Sequence, residues 1–390
     1  MVEAVVGGRS GVGSARARPG ILVLAAAVFA GVTTEMLPVG LLPAIADSLQ
    51  VSESTTGLLV SFYAVMVALG AVPLAVLTRR FRRKRLLLAV MGCYTLSNVV
   101  AAAAPTFAVL AVGRAIGGLS HALFFSVVIG YAVRLVPPAM TGRALALVSS
   151  GASVGFVLGV PLATALGNAV GWHVAFWLLA ALMLLVLALI AVVLPDVDAP
   201  ATTASAIPGQ RGRMALVVTS NALAFVGHFT LYTYVSVLLL RSGATQAAVA
   251  PILLVFGVFG LLGVWFGGPW LDRSPRTSAL LILGMVGVGI LAAAIGYPHL
   301  AGVVVAGAVW NGAWGPVSSV YQVAAVRTRA TSPELAGAWI NATSNVGIAV
   351  GAAIGGRVLA AAGIREDAFL AFGAVIAAMA VFVLAQVCRH

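Results

Sequence analysis

The sequence is poor in charge. Only 8% of its 390 residues are Asp, Glu, Lys or Arg, whereas soluble domains carry about 25% because their surfaces face water. Hydrophobic residues make up 62% of the chain, and the mean hydropathy is +1.11. This composition argues against soluble domains and predicts an all-helical protein that crosses a membrane many times.

Cysteine is also scarce. Cys93 lies inside an apolar run and Cys388 near the end of the sequence, which argues against a disulfide framework and gives no metal-ligand pattern. The sequence has no paired-cysteine motif, zinc-protease motif or phosphate-binding glycine loop. We therefore expect neither an enzyme nor a metal or cofactor site, and no ATP-driven work.

The basic residues stand between apolar runs. Six of the seven residues from 79 to 85 are basic, among them Arg79, Arg80, Arg83 and Lys84, the only lysine. We attribute the formal charge of +12 to loops that meet anionic lipid headgroups, and expect no nucleic-acid partner. Charge this dense stays on the cytoplasmic side of a bilayer and so orients the runs beside it.

Windows of about 20 residues predict twelve spans. They lie at 20–42, 57–78, 86–104, 107–133, 143–167, 173–194, 214–240, 246–268, 277–296, 299–325, 335–361 and 367–387. The basic start and the apolar run after it are similar to a signal peptide, but this run is long enough to span, so we expect a retained first helix.

The spans divide into two six-helix bundles at a polar segment. We predict a tail over 1–19, a bundle over 20–194, a linker over 195–213 and a second bundle over 214–390. Of the 22 basic residues, 18 lie in segments predicted on one side, three on the other and one inside a span. This asymmetry predicts that both termini are cytoplasmic.

The two halves repeat each other at an offset of about 192 residues, as in transporters built from duplicated bundles. Gly155 and Gly159 in span 5 correspond to Gly347 and Gly351 in span 11. Small residues four apart let a neighbouring helix come close. The segment 268–276 falls between spans 8 and 9, where the basic run falls between spans 2 and 3.

With these motifs the chain resembles the major facilitator superfamily over nearly its whole length. Gly268, Asp272, Arg273 and Arg276 are similar to that family's loop motif, whereas the first-half copy has Arg79 in the usual place of Asp.

Further motifs resemble the proton-coupled, twelve-helix drug-export branch of that family. Gly155, Gly159 and Pro161 are similar to its antiporter motif, the segment 34–42 to its first-helix signature, and Arg114 with the glycines after it to its fourth-helix motif.

The run from Thr34 to Trp177 looks most like bacterial exporters of arabinose-type sugars, purine nucleosides and chloramphenicol. The resemblance implies a monomeric, multi-pass protein of the bacterial inner membrane, with a small-molecule substrate, protons and the lipid bilayer as partners. It would export a small neutral compound, a drug or a sugar-like solute, in exchange for protons by alternating access. A symporter or facilitator for uptake, and a receptor without transport, are the alternatives.

Of the ten acidic residues, only Glu35 lies well inside an apolar run. A carboxylate in hydrocarbon is costly unless it is paired or hydrated, so Glu35 is a functional candidate. Counting about 1.5 Å per residue places Arg114 at the same depth, and His121 two turns further on the same face. We predict that these three residues couple protons to transport.

Other readings of these residues stay open. The Glu35–Arg114 pair could be purely structural, and His121 could bond a backbone carbonyl. For His228 in span 7, a structural hydrogen bond is the favoured reading.

Polar and aromatic residues inside other spans are candidates for substrate contacts. They are Tyr63, Asn98, Tyr232, Trp310, Asn311, Trp314, Asn341 and Asn345. Aromatic faces and amides suit a neutral, moderately polar solute. The alternative is that the aromatic residues pack the bundles and that each Asn makes an interhelical hydrogen bond.

Overall fold

The computed structural model describes residues 14–78, 81–137, 140–197, 210–331 and 333–387, and the regular structure of these residues is entirely helical. They contain twelve segments that are long and apolar enough to cross a membrane, which confirms the predicted span count. Arg79, Arg80, residues 1–13 of the predicted tail and residues 198–209 of the predicted linker lie outside the described residues.

Most spans are single helices, and three are interrupted. The first six are Ser14–Leu49, Glu53–Leu77, Arg83–Ala102, Phe107–Leu135, the helices Thr141–Val154 and Val160–Val170 joined by a π-helical turn (Gly155–Gly159), and Trp172–Val193. The last six are Arg211–Tyr232 with Val235–Arg241, Gln246–Arg273, Pro275–Gly296, Leu300–Trp314 with Val317–Arg327, Pro333–Ala361, and Ile364–Val387.

Proline explains two of the interruptions. Pro161 has no N–H for the Val157 carbonyl, and just before it the Val160 N–H bonds to the Gly155 carbonyl in the π-helical turn. Pro316 lies between the two helices of span 10 and likewise donates no backbone hydrogen bond. Both breaks fall in spans that line the central cavity described below.

The predicted loop between spans 8 and 9 is wrong. Span 8 continues to Arg273 and span 9 begins at Pro275, so Gly268 and Asp272 lie in helical backbone. The drop in hydropathy marks where the helix leaves the apolar layer, and does not mark where the helix ends. Arg273 and Arg276 are exposed beside the single-residue break.

Spans 1–6 pack into one bundle and spans 7–12 into a second, as predicted. The glycines of the repeat lie where helices approach closely. A methyl group on Gly155 would be 3.1 Å from the Phe29 carbonyl oxygen of span 1, and one on Gly351 would be 2.6 Å from the Val226 carbonyl oxygen of span 7. Span 5 therefore packs on span 1 as span 11 packs on span 7, and the repeat is visible in the packing.

Twelve alternating spans put Ser14, Val387, the end of span 6 and the start of span 7 on one side of the bundles, here named the terminal face. The opposite side is the far face. In the half of the molecule toward the far face, spans 1, 2 and 5 of the first bundle contact spans 7, 8 and 11 of the second.

Candidate substrate and proton site

A cavity of about 490 Å³ lies between the bundles. Spans 1, 4 and 5 contribute to its wall from the first bundle, and spans 7, 8, 10 and 11 from the second. The wall extends toward the terminal face, through residues between 149 and 157 of span 5 and between 311 and 322 of span 10.

Polar contacts between the bundles close the far-face end of this cavity. The Ser236 hydroxyl donates to the Val39 carbonyl at 2.8 Å, and the Ser61 hydroxyl donates to the Ala349 carbonyl at 2.9 Å. Nearer the surface, Arg241 of span 7 pairs with Glu53 of span 2 at 2.6 Å.

Glu35 and His121 both line the cavity and face each other, although the sequence placed His121 two turns away from the level of Glu35. The His121 Nε2 atom lies 3.7 Å from the Glu35 Oε2 atom. The side chain of Glu35 is 12% exposed and that of His121 is 3% exposed. An acid and a base therefore meet where the contents of the cavity can reach the acid.

Arg114 lies behind this wall and binds backbone. Its guanidinium donates to the carbonyls of Thr34 and Glu35, each at 2.7 Å, and its central carbon lies 4.2 Å from the centre of the Tyr63 ring. Arg114 and Glu35 lie at the same depth, as predicted, because Arg114 reaches the backbone carbonyl of Glu35. Among the described residues, however, the basic side chain within 4 Å of the Glu35 carboxyl group is that of His121, and not that of Arg114.

Two prolines explain why span 1 needs outside donors. Pro38 cannot donate to the Thr34 carbonyl, nor Pro43 to the Val39 carbonyl, because proline has no N–H. Arg114 supplies a donor to the first carbonyl. Ser236, from the other bundle, supplies a donor to the second. Span 1 is thus completed by side chains of spans 4 and 7.

The second nitrogen of His121 faces a pair of tyrosines. The hydroxyls of Tyr63 and Tyr94 lie 2.8 and 2.7 Å from Nδ1. The Asn98 amide donates to the Tyr94 carbonyl and to the Thr34 hydroxyl. Tyr63 and Asn98, predicted as substrate contacts, are thus packed behind the wall. His121 binds side chains, and not the backbone carbonyl of the alternative reading.

Tyr94 was not singled out from the sequence. Its signal is its spacing, because it lies one turn before Asn98 on the same face of span 3.

The second bundle gives the cavity an aromatic wall. Tyr232, Trp314, Asn311, Asn341 and Asn345 line it, whereas Trp310 is fully buried behind it. His228, for which a structural role was favoured, also lines the cavity.

The amides of this wall are partly engaged within their own helices. Asn345 donates to the Asn341 carbonyl at 3.0 Å, and Asn311 donates to the Gly307 carbonyl at 2.8 Å.

Asp367 is a second buried acid. The sequence places it at the end of a span, and the structure puts it in the first turn of span 12 with no exposed surface. Neither carboxyl oxygen has a hydrogen-bond partner among the described residues. Those residues also contain no group of His, Cys, Asp and Glu side chains that could hold a metal ion.

Twelve spans in two bundles around a central cavity define a membrane transporter. The model of the Major Facilitator Superfamily matches residues 23–332, and the chain belongs to this family. It is a multi-pass protein of the bacterial inner membrane.

Relatives with assigned names are transporters as well. The chain is 35% identical to a chloramphenicol efflux pump of Mycobacterium tuberculosis, covering 86% of this chain and 84% of the pump. It is 31% identical to a probable sugar efflux transporter of Mannheimia succiniciproducens, covering 93% and 91%. It is 32% identical to the inner membrane transport protein YdhP of Escherichia coli K12, covering 93% and 94%.

Solved structures share the fold. A bacterial homologue of the human lysosomal transporter Spinster, in an inward-facing and unoccupied conformation, matches with a TM-score of 0.76 at 17% identity, covering 96% of this chain and 98% of that one. A variant of the nucleoside transporter NupG matches with a TM-score of 0.75 at 14% identity, covering 94% and 99%.

Proposed function

We propose that the chain exports a small neutral compound, a drug such as chloramphenicol or a sugar-like solute, in exchange for protons by alternating access. The observation that carries the proposal is the Glu35–His121 pair, 3.7 Å apart on the wall of a cavity that both bundles enclose. Relatives named as chloramphenicol and sugar efflux proteins support this direction of transport and this class of substrate.

The geometry lets a proton and a substrate alternate at one site. Glu35 presents its carboxyl group to the cavity, while Arg114 holds the backbone of span 1 at that point. His121 joins Glu35 on one side to two hydroxyls on the other, and each hydroxyl can donate or accept. The His121 ring can therefore follow a change of protonation at Glu35 without losing its partners.

We take the orientation from the charge asymmetry of the loops, which predicts that both termini are cytoplasmic. The cavity then faces the cytoplasm in this conformation, and the contacts between the bundles close the periplasmic side. Transport requires these contacts to break as the bundles 20–194 and 214–390 rock about the linker 195–213.

The proposal includes no cofactor, because the proton gradient supplies the energy. A monomer in the bilayer suffices, because the spans of one chain enclose the cavity.

The test uses inside-out membrane vesicles, whose outer surface is the cytoplasmic one. We expect radiolabelled chloramphenicol to accumulate when the vesicle interior is acidified, and to equilibrate when the gradient is collapsed. Accumulation only in intact cells would indicate uptake, and binding without flux would indicate a receptor. Either result would overturn the proposal.

The Glu53–Arg241 pair is expected to favour closure of the far face. Both side chains are partly exposed, so the pair contributes about 0–1 kcal/mol, or up to about a fivefold change in population. Reversing one charge, as in Glu53→Arg or Arg241→Glu, should therefore increase the open population. The double reversal should restore the closed one.

Spin labels at Gln50→Cys and Thr245→Cys, in a chain without Cys93 and Cys388, would measure this population by inter-label distance. Both positions are exposed on the far face. Equal distance distributions in the wild type and in both single reversals would show that the pair does not bias closure.

A further inference from the structure

His228 is held within a stack of aromatic rings on the second-bundle wall. Its ring centre lies 3.7 Å from that of Trp314 with an angle of 8° between the planes, and 4.8 Å from that of Tyr232 with an angle of 24°. Trp310 fixes the ring from behind. The outcome is a rigid histidine on the cavity wall, opposite Glu35 and His121.

The contact with Trp310 also fixes where the His228 proton lies. The Trp310 indole N–H donates to His228 Nδ1 at 3.0 Å. An indole nitrogen only donates, so Nδ1 must be the unprotonated nitrogen, and the neutral ring carries its hydrogen on Nε2. A doubly protonated ring would set two N–H groups against each other and lose this bond.

The Nε2–H group is therefore a donor without an internal partner. Among the described residues, nothing accepts a hydrogen bond from it, and His228 lines the cavity. His121 differs, because the hydroxyls at its Nδ1 do not fix a tautomer and its Nε2 faces Glu35. One cavity histidine is suited to moving protons, and the other to donating a single fixed hydrogen bond.

The rest of the wall limits what this donor can bind. The described cavity-lining residues include no Arg or Lys, so a bound anion would have no fixed countercharge. Aromatic side chains around the donor suit a flat ring, while the amides of Asn311 and Asn345 already donate to their own helices. The wall also carries serines and Gln322 on spans 5, 10 and 11, but the aromatic stack itself offers only the His228 donor and the Tyr232 hydroxyl. A sugar bound against the stack would therefore leave hydroxyls without partners, which is costly.

We propose that His228 is a specificity-determining residue whose Nε2–H selects neutral aromatic solutes bearing a carbonyl or nitro oxygen, in preference to sugars. This inference rests on the proposed export function and names its substrate class. Its ligand binds against the Tyr232–His228–Trp314 stack, with the oxygen acceptor directed at Nε2.

Equilibrium binding to the purified full-length chain in lipid nanodiscs tests this inference without any gradient. The probes are radiolabelled chloramphenicol and radiolabelled arabinose. The double variant His228→Phe with Trp310→Phe keeps a ring at both positions and leaves no buried indole N–H unpaired. We expect it to bind chloramphenicol about tenfold more weakly than the wild type, the effect of losing one hydrogen bond.

Two further variants separate the donor from packing. His228→Gln places an amide donor near the Nε2 position and should restore most of the affinity, whereas Trp310→Phe alone should weaken binding by a smaller factor. Melting temperatures identify any variant that fails to fold. The inference is overturned if the double variant binds like the wild type, if the wild type does not bind chloramphenicol, or if arabinose binds as tightly.

The two proposals fail separately. Loss of gradient-driven transport with intact, His228-dependent binding would refute proton exchange alone. Driven export of chloramphenicol that is indifferent to His228 would refute only the role given to this residue.

Discussion

Replacing Glu35 with glutamine is expected to abolish accumulation of chloramphenicol against its gradient, down to the level of vesicles that lack the protein. Glutamine keeps the size and the hydrogen-bonding capacity of the side chain but cannot release a proton. The empty transporter is proposed to reorient only when Glu35 is protonated and therefore neutral. Glutamine is always neutral, so the variant can reorient whether or not a proton or a substrate is bound. Flux down a chloramphenicol gradient should therefore persist, while coupling to the pH gradient is lost.

The measurement is a pair of assays on the same inside-out vesicles, one with an imposed pH gradient and one with only a chloramphenicol gradient. Glu366→Gln is the matched control, because it makes the same substitution of glutamate by glutamine at an exposed position of span 12. Full driven accumulation by Glu35→Gln would refute the coupling role. Loss of both driven and downhill flux, with an unchanged melting temperature, would assign Glu35 to substrate binding.

Hydropathy and charge asymmetry were sufficient to predict the twelve spans. Depth along a span was sufficient to predict that Glu35 and Arg114 share one level, but it placed His121 two turns away, and the long side chains of Glu35 and His121 close that gap. Spacing along a sequence does not fix the direction of a side chain across the bundle. The sequence therefore predicted Trp310 and Asn98 as substrate contacts, although both lie behind the cavity wall. The role of His228 was also out of reach, because it depends on which ring nitrogen faces Trp310, a matter of tertiary packing.

The hydrogen-bond partner of Arg114 could have been predicted from the local sequence of span 1. Thr34 stands four residues before Pro38, so its carbonyl lacks a helical donor whatever the fold. A buried arginine at matching depth is a natural donor for such a carbonyl. Charge complementarity suggested the Glu35 carboxylate instead, and it outweighed the backbone signal. The burial of Asp367 had no comparable signal in the sequence, since burial at a span end depends on neighbouring helices.

Replacing Arg114 with methionine is therefore expected to destabilise the protein strongly. The change removes the donors to two buried carbonyls of span 1 and the contact with the Tyr63 ring. Buried hydrogen bonds to a charged group contribute about 1.5–3 kcal/mol each, so we expect a loss of roughly 3 kcal/mol or more. The apparent melting temperature in detergent should fall by roughly 5–10 °C.

A second substitution, Pro38→Ala, tests the cause of this loss of stability, because alanine restores a backbone N–H for the Thr34 carbonyl. If Arg114 acts chiefly as a donor to span 1, Arg114→Met should cost much less stability in the Pro38→Ala background than in the wild type. Arg114→Lys keeps the charge but cannot reach both carbonyls as a planar fork, and should lie between the wild type and Arg114→Met. An equal loss in both backgrounds would contradict this role, because it would show that the hydrogen bond to the Thr34 carbonyl is not what the protein requires from Arg114.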